Sequence, residues 1–140
     1  MKTYDLAALL KLCAAIKEEK GANQWLIDHD CRELSEFWDA YQNMEKSFTW
    51  LLENNHRELA AIVDGLHGDD KAKAFLIKSG YHELAAFIDA AEGSKTAVLW
   101  LMKFKHKPWL AVAREIYLWN KKNEPKGIWK IFNFGNPFRS

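Results

Sequence analysis

The chain has 140 residues, of which 49% are hydrophobic and 28% are charged, and its formal net charge is +1. This length suits one domain with a buried core, and the apolar content argues against disorder over most of the chain. No apolar run approaches the roughly 18 residues that a transmembrane helix needs, so we expect no membrane partner. We predict a globular domain in the cytoplasm.

The charge is divided unevenly along the chain. Residues 1–101 carry 11 Lys and Arg against 17 Asp and Glu, a net charge of −6. Residues 102–140 carry nine against two, a net charge of +7. An acidic body with a basic, aromatic C-terminal end is the strongest functional indication in the composition. Cys13 and Cys31 form no metal-binding pattern, and we expect them to be buried free thiols.

The N-terminal stretch predicts an amphipathic helix over residues 4–18. Its apolar residues recur at three- and four-residue spacing: Leu6, Leu9, Leu10, Cys13 and Ile16. This periodicity favours a helix of the mature protein over a signal peptide. Thr3 is the expected N-cap. Gly21 ends the helix, and a short second helix follows with Trp25 and Leu26.

The middle of the chain repeats itself, so that the pattern of residues 50–75 returns without a gap in residues 75–100. The positions in register include Trp25, Trp50, Phe75 and Trp100, and also Leu34, Leu59 and Leu84. We call the constant spacing, for example from Trp25 to Trp50, the repeat period. A fixed period of this size indicates stacked supersecondary units that bury a common core. The pattern within each unit predicts two antiparallel helices joined by tight turns.

Local signals suggest where these helices begin and end. Asp30, Asn55 and Gly80 precede Glu33, Glu58 and Glu83 by three positions, which is the spacing of a capping box. Asn43, Gly68 and Gly93 stand where each first helix must turn. Asp69, Asp70 and Ser94 suit the N-terminus of the second helix.

The fourth unit is expected to shift by one position. Pro108 takes the helix start, where its missing N–H costs nothing. The helix should run to about Trp119, and residues 120–126 predict a break. We therefore divide the chain into a helical-repeat domain, residues 1–126, and an aromatic and basic segment, residues 127–140, that caps the same domain.

The spacing of Ala90, Ala91 and Gly93 to Ala97 and Leu101 resembles that of ankyrin repeats, although the repeat period is shorter here and the β-finger is absent. HEAT-like and armadillo-like repeats are similar in their all-helical character. The resemblance implies an all-α fold, an α-solenoid of about four to five antiparallel helical hairpins with a non-repeat C-terminal cap. It also implies a protein-binding scaffold, because such folds mostly serve that purpose.

Three aspartates, Asp39, Asp64 and Asp89, form a ladder at repeat spacing. They could grip a basic peptide. The structural alternative is that each carboxylate bonds locally, for instance to Lys46, Lys71 or Lys95.

A second ladder is basic and consists of Arg32, Arg57, His82 and Lys107. It could form a stripe for an acidic partner. The structural alternative is a solvated row of charge pairs with Glu33, Glu58 and Glu83, each contributing little.

The C-terminal third interleaves basic and aromatic residues, among them Trp109, Trp119, Trp129, Lys122 and Lys130. Aromatic side chains can stack on bases or enter an apolar groove, and basic charge attracts phosphate. The open alternatives are a structural cap, a protein-binding end, a nucleic-acid site and a membrane-surface contact.

No catalytic, phosphate-binding or metal-ligand pattern is apparent, so we expect no enzyme activity, no cofactor and no metal. We predict a protein-interaction module, an adaptor or an inhibitor of immunity type, that binds an unidentified protein and is a monomer or weak homodimer. The alternative is a nucleic-acid-binding repeat protein that uses the basic C-terminal third.

Overall fold

The computed structural model describes residues 2–104 and 106–123. Within these residues the fold is all-α, as predicted, and contains no strand. The nine helices of the described part are α1 (Leu6–Ile16), α2 (Ala22–Asp28), α3 (Arg32–Tyr41), α4 (Glu45–Glu53), α5 (Arg57–Leu66), α6 (Asp70–Lys78), α7 (His82–Ala91), α8 (Lys95–Lys103) and α9 (Lys107–Asn123). The predicted domain boundary at residue 126 and the segment 127–140 lie outside the described residues.

The N-cap of α1 is Asp5 and not Thr3. The Asp5 carboxylate accepts a hydrogen bond from the Ala8 backbone N–H at 2.9 Å. A carboxylate at this position also suits the positive end of the helix dipole. Later in the chain, Asp69 and Ser94 cap α6 and α8 through their side chains, as the sequence predicts.

The predicted capping boxes at Asp30, Asn55 and Gly80 are wrong. These three residues adopt left-handed backbone conformations, with φ of 60°, 65° and 88°. Each follows the end of an even-numbered helix, and the next N–H bonds back to that helix, as in His56 N–H to the Leu51 carbonyl at 2.8 Å. This is the hydrogen bond of a Schellman motif, so the residues terminate one helix and do not cap the next.

The true N-cap positions of α3, α5 and α7 are Cys31, His56 and Tyr81, whose side chains form no capping hydrogen bond. In each connection the left-handed residue is followed by one residue, the N-cap of the next helix, and in none of the three is that residue Ser, Thr, Asp or Asn. By contrast, the turns predicted at Asn43 and Gly68 are confirmed, since both residues have positive φ.

The odd-numbered helices pack against one another in chain order, and each even-numbered helix packs against the two odd-numbered helices that flank it in sequence. Leu34, Leu59 and Leu84 recur at the repeat spacing and are all fully buried. A small residue beside these leucines permits close approach of neighbouring odd-numbered helices. A Cβ on Gly65, for example, would lie 2.5 Å from the Ile88 side chain of α7.

Helix α9 keeps the register of the repeat, which corrects the predicted shift by one position. It begins at Lys107, three repeat periods after Arg32, the first residue of α3. Its fully buried Val112 takes the position that Phe87 has in α7, and Trp109 stands in the register of Leu84. The helix also continues through the expected break at residue 120 and ends at Asn123.

Helix α9 packs against both α7 and α1 and so joins the two ends of the helix series. Near its start, Trp109 meets Tyr4 and Phe87 edge-on, with ring centroids 6.4 and 5.2 Å away. Near its end, Trp119 lies edge-on to Trp38 at 5.1 Å. These contacts establish an all-helical bundle, while its interpretation as an α-solenoid stays a prediction.

Substitution of Leu84 by alanine should lower the free energy of unfolding by about 2–5 kcal/mol, because a fully buried side chain would leave a cavity. The matched control is Leu99→Ala, since Leu99 is 65% exposed and its loss should change stability by under about 0.5 kcal/mol. Urea denaturation of both variants measures the difference. Equal midpoints for the two would show that the repeat register described here is wrong.

Candidate functional site

An apolar depression with a volume of about 740 Å³ lies between α8 and α9. Its floor and walls include Val98, Leu99, Met102, Leu110, Ala111 and Tyr117, and its basic residues are Lys95, Lys107 and Arg114. We call this surface the α8–α9 groove. No acidic side chain is among the described residues that line it.

The groove exists because α8 is apolar on its outer face as well as on its inner face. Ala97 and Leu101 are buried against the bundle, whereas Leu99 and Met102 are 65% and 48% exposed. At the end of α7, Gly93 has φ of 98° and leaves space for Tyr117, whose ring would lie 3.0 Å from an added Cβ. Clustered exposed apolar side chains of this kind are typical of interaction sites.

The aspartate ladder lies along the preceding helix pairs. Asp39 lines a depression between α2 and α3, and Asp64 lines one between α4 and α5. Asp89 of α7 forms a 2.8 Å ion pair with Lys73 of α6. The predicted local pairing is thus present for Asp89, with Lys73 as its partner and not Lys46, Lys71 or Lys95.

Two of these aspartates have raised pKa values. Burial raises the pKa of Asp39 above its ordinary value, and the nearby charge of Glu36 adds to the shift. Burial likewise raises the pKa of Asp64, with a contribution from Asp69. Burial therefore disfavours the ionised form of both carboxylates. In α9 the position that corresponds to these aspartates in the repeat is occupied by Arg114.

Two of the four residues of the basic ladder are engaged within the protein. The Arg32 guanidinium lies 4.7 Å from the Trp50 ring centroid and bonds Glu36 at 3.0 Å. Arg57 lies 5.8 Å from the Phe75 ring centroid. Such cation–π contacts stabilise the packing of α3 on α4 and of α5 on α6. His82 is exposed at the start of α7, and Lys107 is the ladder residue that lines the α8–α9 groove.

Glu33 does not form the charge pair with Arg32 that the sequence suggests. It is buried, and its carboxylate accepts a hydrogen bond from the Tyr4 hydroxyl at 2.8 Å and lies 3.0 Å from the Lys2 ammonium. Burial alone would raise the pKa of Glu33, but a backbone hydrogen bond and the bonds from Lys2 and Tyr4 outweigh it and lower the pKa. Glu33 is thus a structural residue that ties the N-terminal segment to α3.

The aromatic and basic residues singled out near the C-terminal end differ in their burial. Trp109 and Trp119 are partly buried against the bundle. Lys122 is exposed beside the end of α1. Trp129 and Lys130 lie outside the described residues.

Sequence reasoning missed the groove residues Leu99, Met102 and Leu110. Exposed and buried leucines look alike in a repeat, because both recur on a helix that is apolar over a wide arc. One signal was present in the sequence: Arg114 stands one repeat period after Asp89 and so reverses the charge of the aspartate ladder.

Comparison with known proteins provides no further guide to this site. No family model, no curated protein and no solved structure matches the chain. Among the described residues, no group of three or more His, Cys, Asp or Glu side chains is placed to hold a metal ion. In the described part of the chain, no helix combines the length and the hydropathy of a membrane span.

Substitution of Trp119 by alanine should lower the free energy of unfolding by about 2–3 kcal/mol, since a partly buried indole would be lost from Trp38 and Tyr41. Leu118→Ala is the control, because the neighbouring Leu118 is an exposed side chain on the same helix. Thermal unfolding followed by circular dichroism measures both. A Trp119 variant as stable as the Leu118 variant would contradict the structural role assigned to Trp119.

Substitution of Asp39 by asparagine should raise stability at pH 7. The folded-state pKa of Asp39 is raised above its ordinary value of 3.8, so wild-type stability falls as pH rises through that window. Asparagine avoids the cost of the buried charge, and the advantage should vanish at about pH 3, where both states of the wild type are protonated.

The matched variant for this measurement is Asp89→Asn, which should be less stable than wild type at pH 7 because it loses the ion pair with Lys73. Urea midpoints at both pH values test the pair. Destabilisation of the Asp39 variant at pH 7 would indicate that Asp39 has a stabilising partner.

Proposed function

We propose that this protein is a non-enzymatic protein-interaction module whose partner binds in the α8–α9 groove. The observation that carries the proposal is the groove itself, a depression of about 740 Å³ whose lining is predominantly apolar and outward-facing. Apolar side chains of a partner would gain from burial there, at about 25 cal/mol for each Å² of apolar surface removed from water. The role of adaptor or inhibitor that the sequence suggests is compatible with such a site.

The exposure of Leu99 and Met102 supports this choice of surface. Leu99 is the most exposed of the large apolar side chains in the described residues, at 65%, and a partner would convert it and Met102 into buried contacts. Leu110 and Tyr117 of α9 complete the opposite wall. Tyrosine is also one of the residues that interfaces favour.

The two ladders support the proposal less well than the groove does. Arg32 and Arg57 already stack on aromatic rings, and Asp89 already pairs with Lys73, so a partner would have to displace these contacts. We further interpret the chain as a short helical-hairpin repeat protein whose architecture resembles that of ankyrin-like and HEAT-like repeats. The cytoplasmic location and the monomeric or weakly dimeric state stay predictions.

Nucleic-acid binding is the second candidate, and one observation favours it. The charged residues of the groove, Lys95, Lys107 and Arg114, are all basic. Phosphates would be attracted to them, and binding would then weaken steeply as salt concentration rises. The apolar floor of the groove favours a protein partner instead, because stacking of bases would call for flat aromatic platforms.

Site-specific photo-crosslinking tests the proposal. A photoreactive benzophenone residue replaces Met102 in one variant and Ile27 in another, and both proteins are irradiated inside the cells from which the chain comes. Ile27 is the matched control because it occupies the same repeat position in α2 and is 45% exposed, against 48% for Met102. We expect a covalent adduct from position 102 that protease digests and nuclease does not.

A second substitution shows whether the adduct depends on the groove. Leu99→Asp should abolish crosslinking from position 102 while leaving the unfolding temperature within about 2 °C, since Leu99 is exposed. Equal adducts from positions 27 and 102, or no adduct at 102, would contradict the groove as the binding site. Adducts that nuclease removes would favour the nucleic-acid alternative.

A further inference from the structure

The contact between α6 and α7 satisfies the charge of Asp89, the last residue of the aspartate ladder. Asp89 of α7 faces Lys73 of α6, and the Lys73 ammonium donates a hydrogen bond to the Asp89 carboxylate at 2.8 Å. This hydrogen bond stabilises the charged ammonium and raises the pKa of Lys73. Here the even-numbered helix α6 supplies the cation, and the odd-numbered helix α7 supplies the carboxylate.

Both positions have changed in the α8–α9 groove. Arg114 stands one repeat period after Asp89, and Val98 stands one repeat period after Lys73. In this pair of helices the cation therefore stands on the odd-numbered helix, and the residue that corresponds to Lys73 carries no charge. Both residues line the groove, together with the basic residues Lys95 and Lys107.

We propose that the partner in the α8–α9 groove is an acidic amphipathic helix, whose apolar face covers Leu99, Met102 and Leu110 and whose carboxylate pairs with Arg114. This inference rests on the proposed function and specifies the chemistry of its partner. Three cations and no acidic side chain are among the described residues that line the groove, so an acidic ligand would complement its charge.

The shape of the groove sets the length of this ligand. Along α9 it extends from Lys107 to Tyr117, a span of about 15 Å at 1.5 Å per residue. A helix of about three turns spans this distance and presents apolar anchors at i, i+3, i+4 and i+7. Arginine also suits a carboxylate ligand, because its planar guanidinium can form two parallel hydrogen bonds with one carboxylate.

A phage-display selection on the full chain tests the inference. The library consists of 16-residue helical peptides with leucine fixed at i, i+4 and i+7 and with Glu, Lys or Gln varied at the flanking positions. Wild-type protein is the target, and the Leu99→Asp variant is used in counter-selection to remove peptides that bind elsewhere. We expect the recovered peptides to be enriched in Glu.

Substitutions at Arg114 then measure the charge preference. The recovered Glu peptide should bind the Arg114→Glu variant at least tenfold more weakly than wild type in fluorescence anisotropy, and its Lys counterpart should gain affinity. Arg114→Lys should keep more binding than Arg114→Glu, because the positive charge remains. Arg114 is exposed, so circular dichroism should show both variants folded.

The results distinguish this inference from the proposed function on which it rests. Leu99-dependent peptides without a preference for Glu, or with equal affinity for the Arg114→Glu variant, would overturn the acidic partner and leave a protein-binding groove. No Leu99-dependent peptide at all would overturn both.

Two other occupants would also overturn the external partner. Tighter peptide binding by the full-length Trp129→Ala variant would assign the groove to the chain's own residues 124–140. A dimer that sedimentation velocity detects, and that Leu99→Asp dissociates, would assign it to a second copy of the chain.

Discussion

The packing of α9 against both α1 and α7 is the contact on which the rest of the structure depends. The eight other helices of the described part are short, from α2 with 7 residues to α1 with 11, so none would be stable in water without tertiary contacts. The longer α9 reaches Tyr4 and Phe87 with Trp109 and reaches Trp38 with Trp119. Because these aromatic contacts join the first helices to the last, the ends of the series stabilise one another.

The same arrangement decides which surface remains for a partner. The inner side chains of α9, including Val112 and Ile116, are used by the bundle, and Trp109 and Trp119 are partly used by it. The side of α9 that faces α8 keeps Leu110, Arg114 and Tyr117 along an open groove. Helix α9 therefore has one face that packs on the bundle and another that is open to a partner. Both faces carry apolar and aromatic residues, so composition does not distinguish them.

Repetition also changes the meaning of the charged ladders. The register that places Asp39, Asp64 and Asp89 at equivalent positions gives them different surroundings, since Lys73 bonds only the last of them among the described ion pairs. Arg32 and Arg57 are equivalent in the repeat and alike in structure, because each stacks on the in-register aromatic ring of the following helix. Equal spacing in the sequence thus indicates that residues occupy equivalent positions on their helices. Whether a charged residue has a partner depends on the side chains around it.

The amino-acid sequence alone was enough to predict the all-α class, the repeat register and the burial of Leu34, Leu59 and Leu84, because apolar periodicity follows directly from helical geometry. It could not distinguish a helix terminator from a cap at Asp30 and Asn55, since both roles favour the same residue types and the left-handed φ is a property of the folded turn. The packing of the helices, by contrast, establishes that Trp109 and Trp119 pack inward, that Glu33 bonds Tyr4, and that Leu99 and Met102 face solvent beside Arg114. The reason is that exposure depends on which helices meet, and the contact of α9 with α1 joins the two ends of the described chain, for which a local pattern carries no signal.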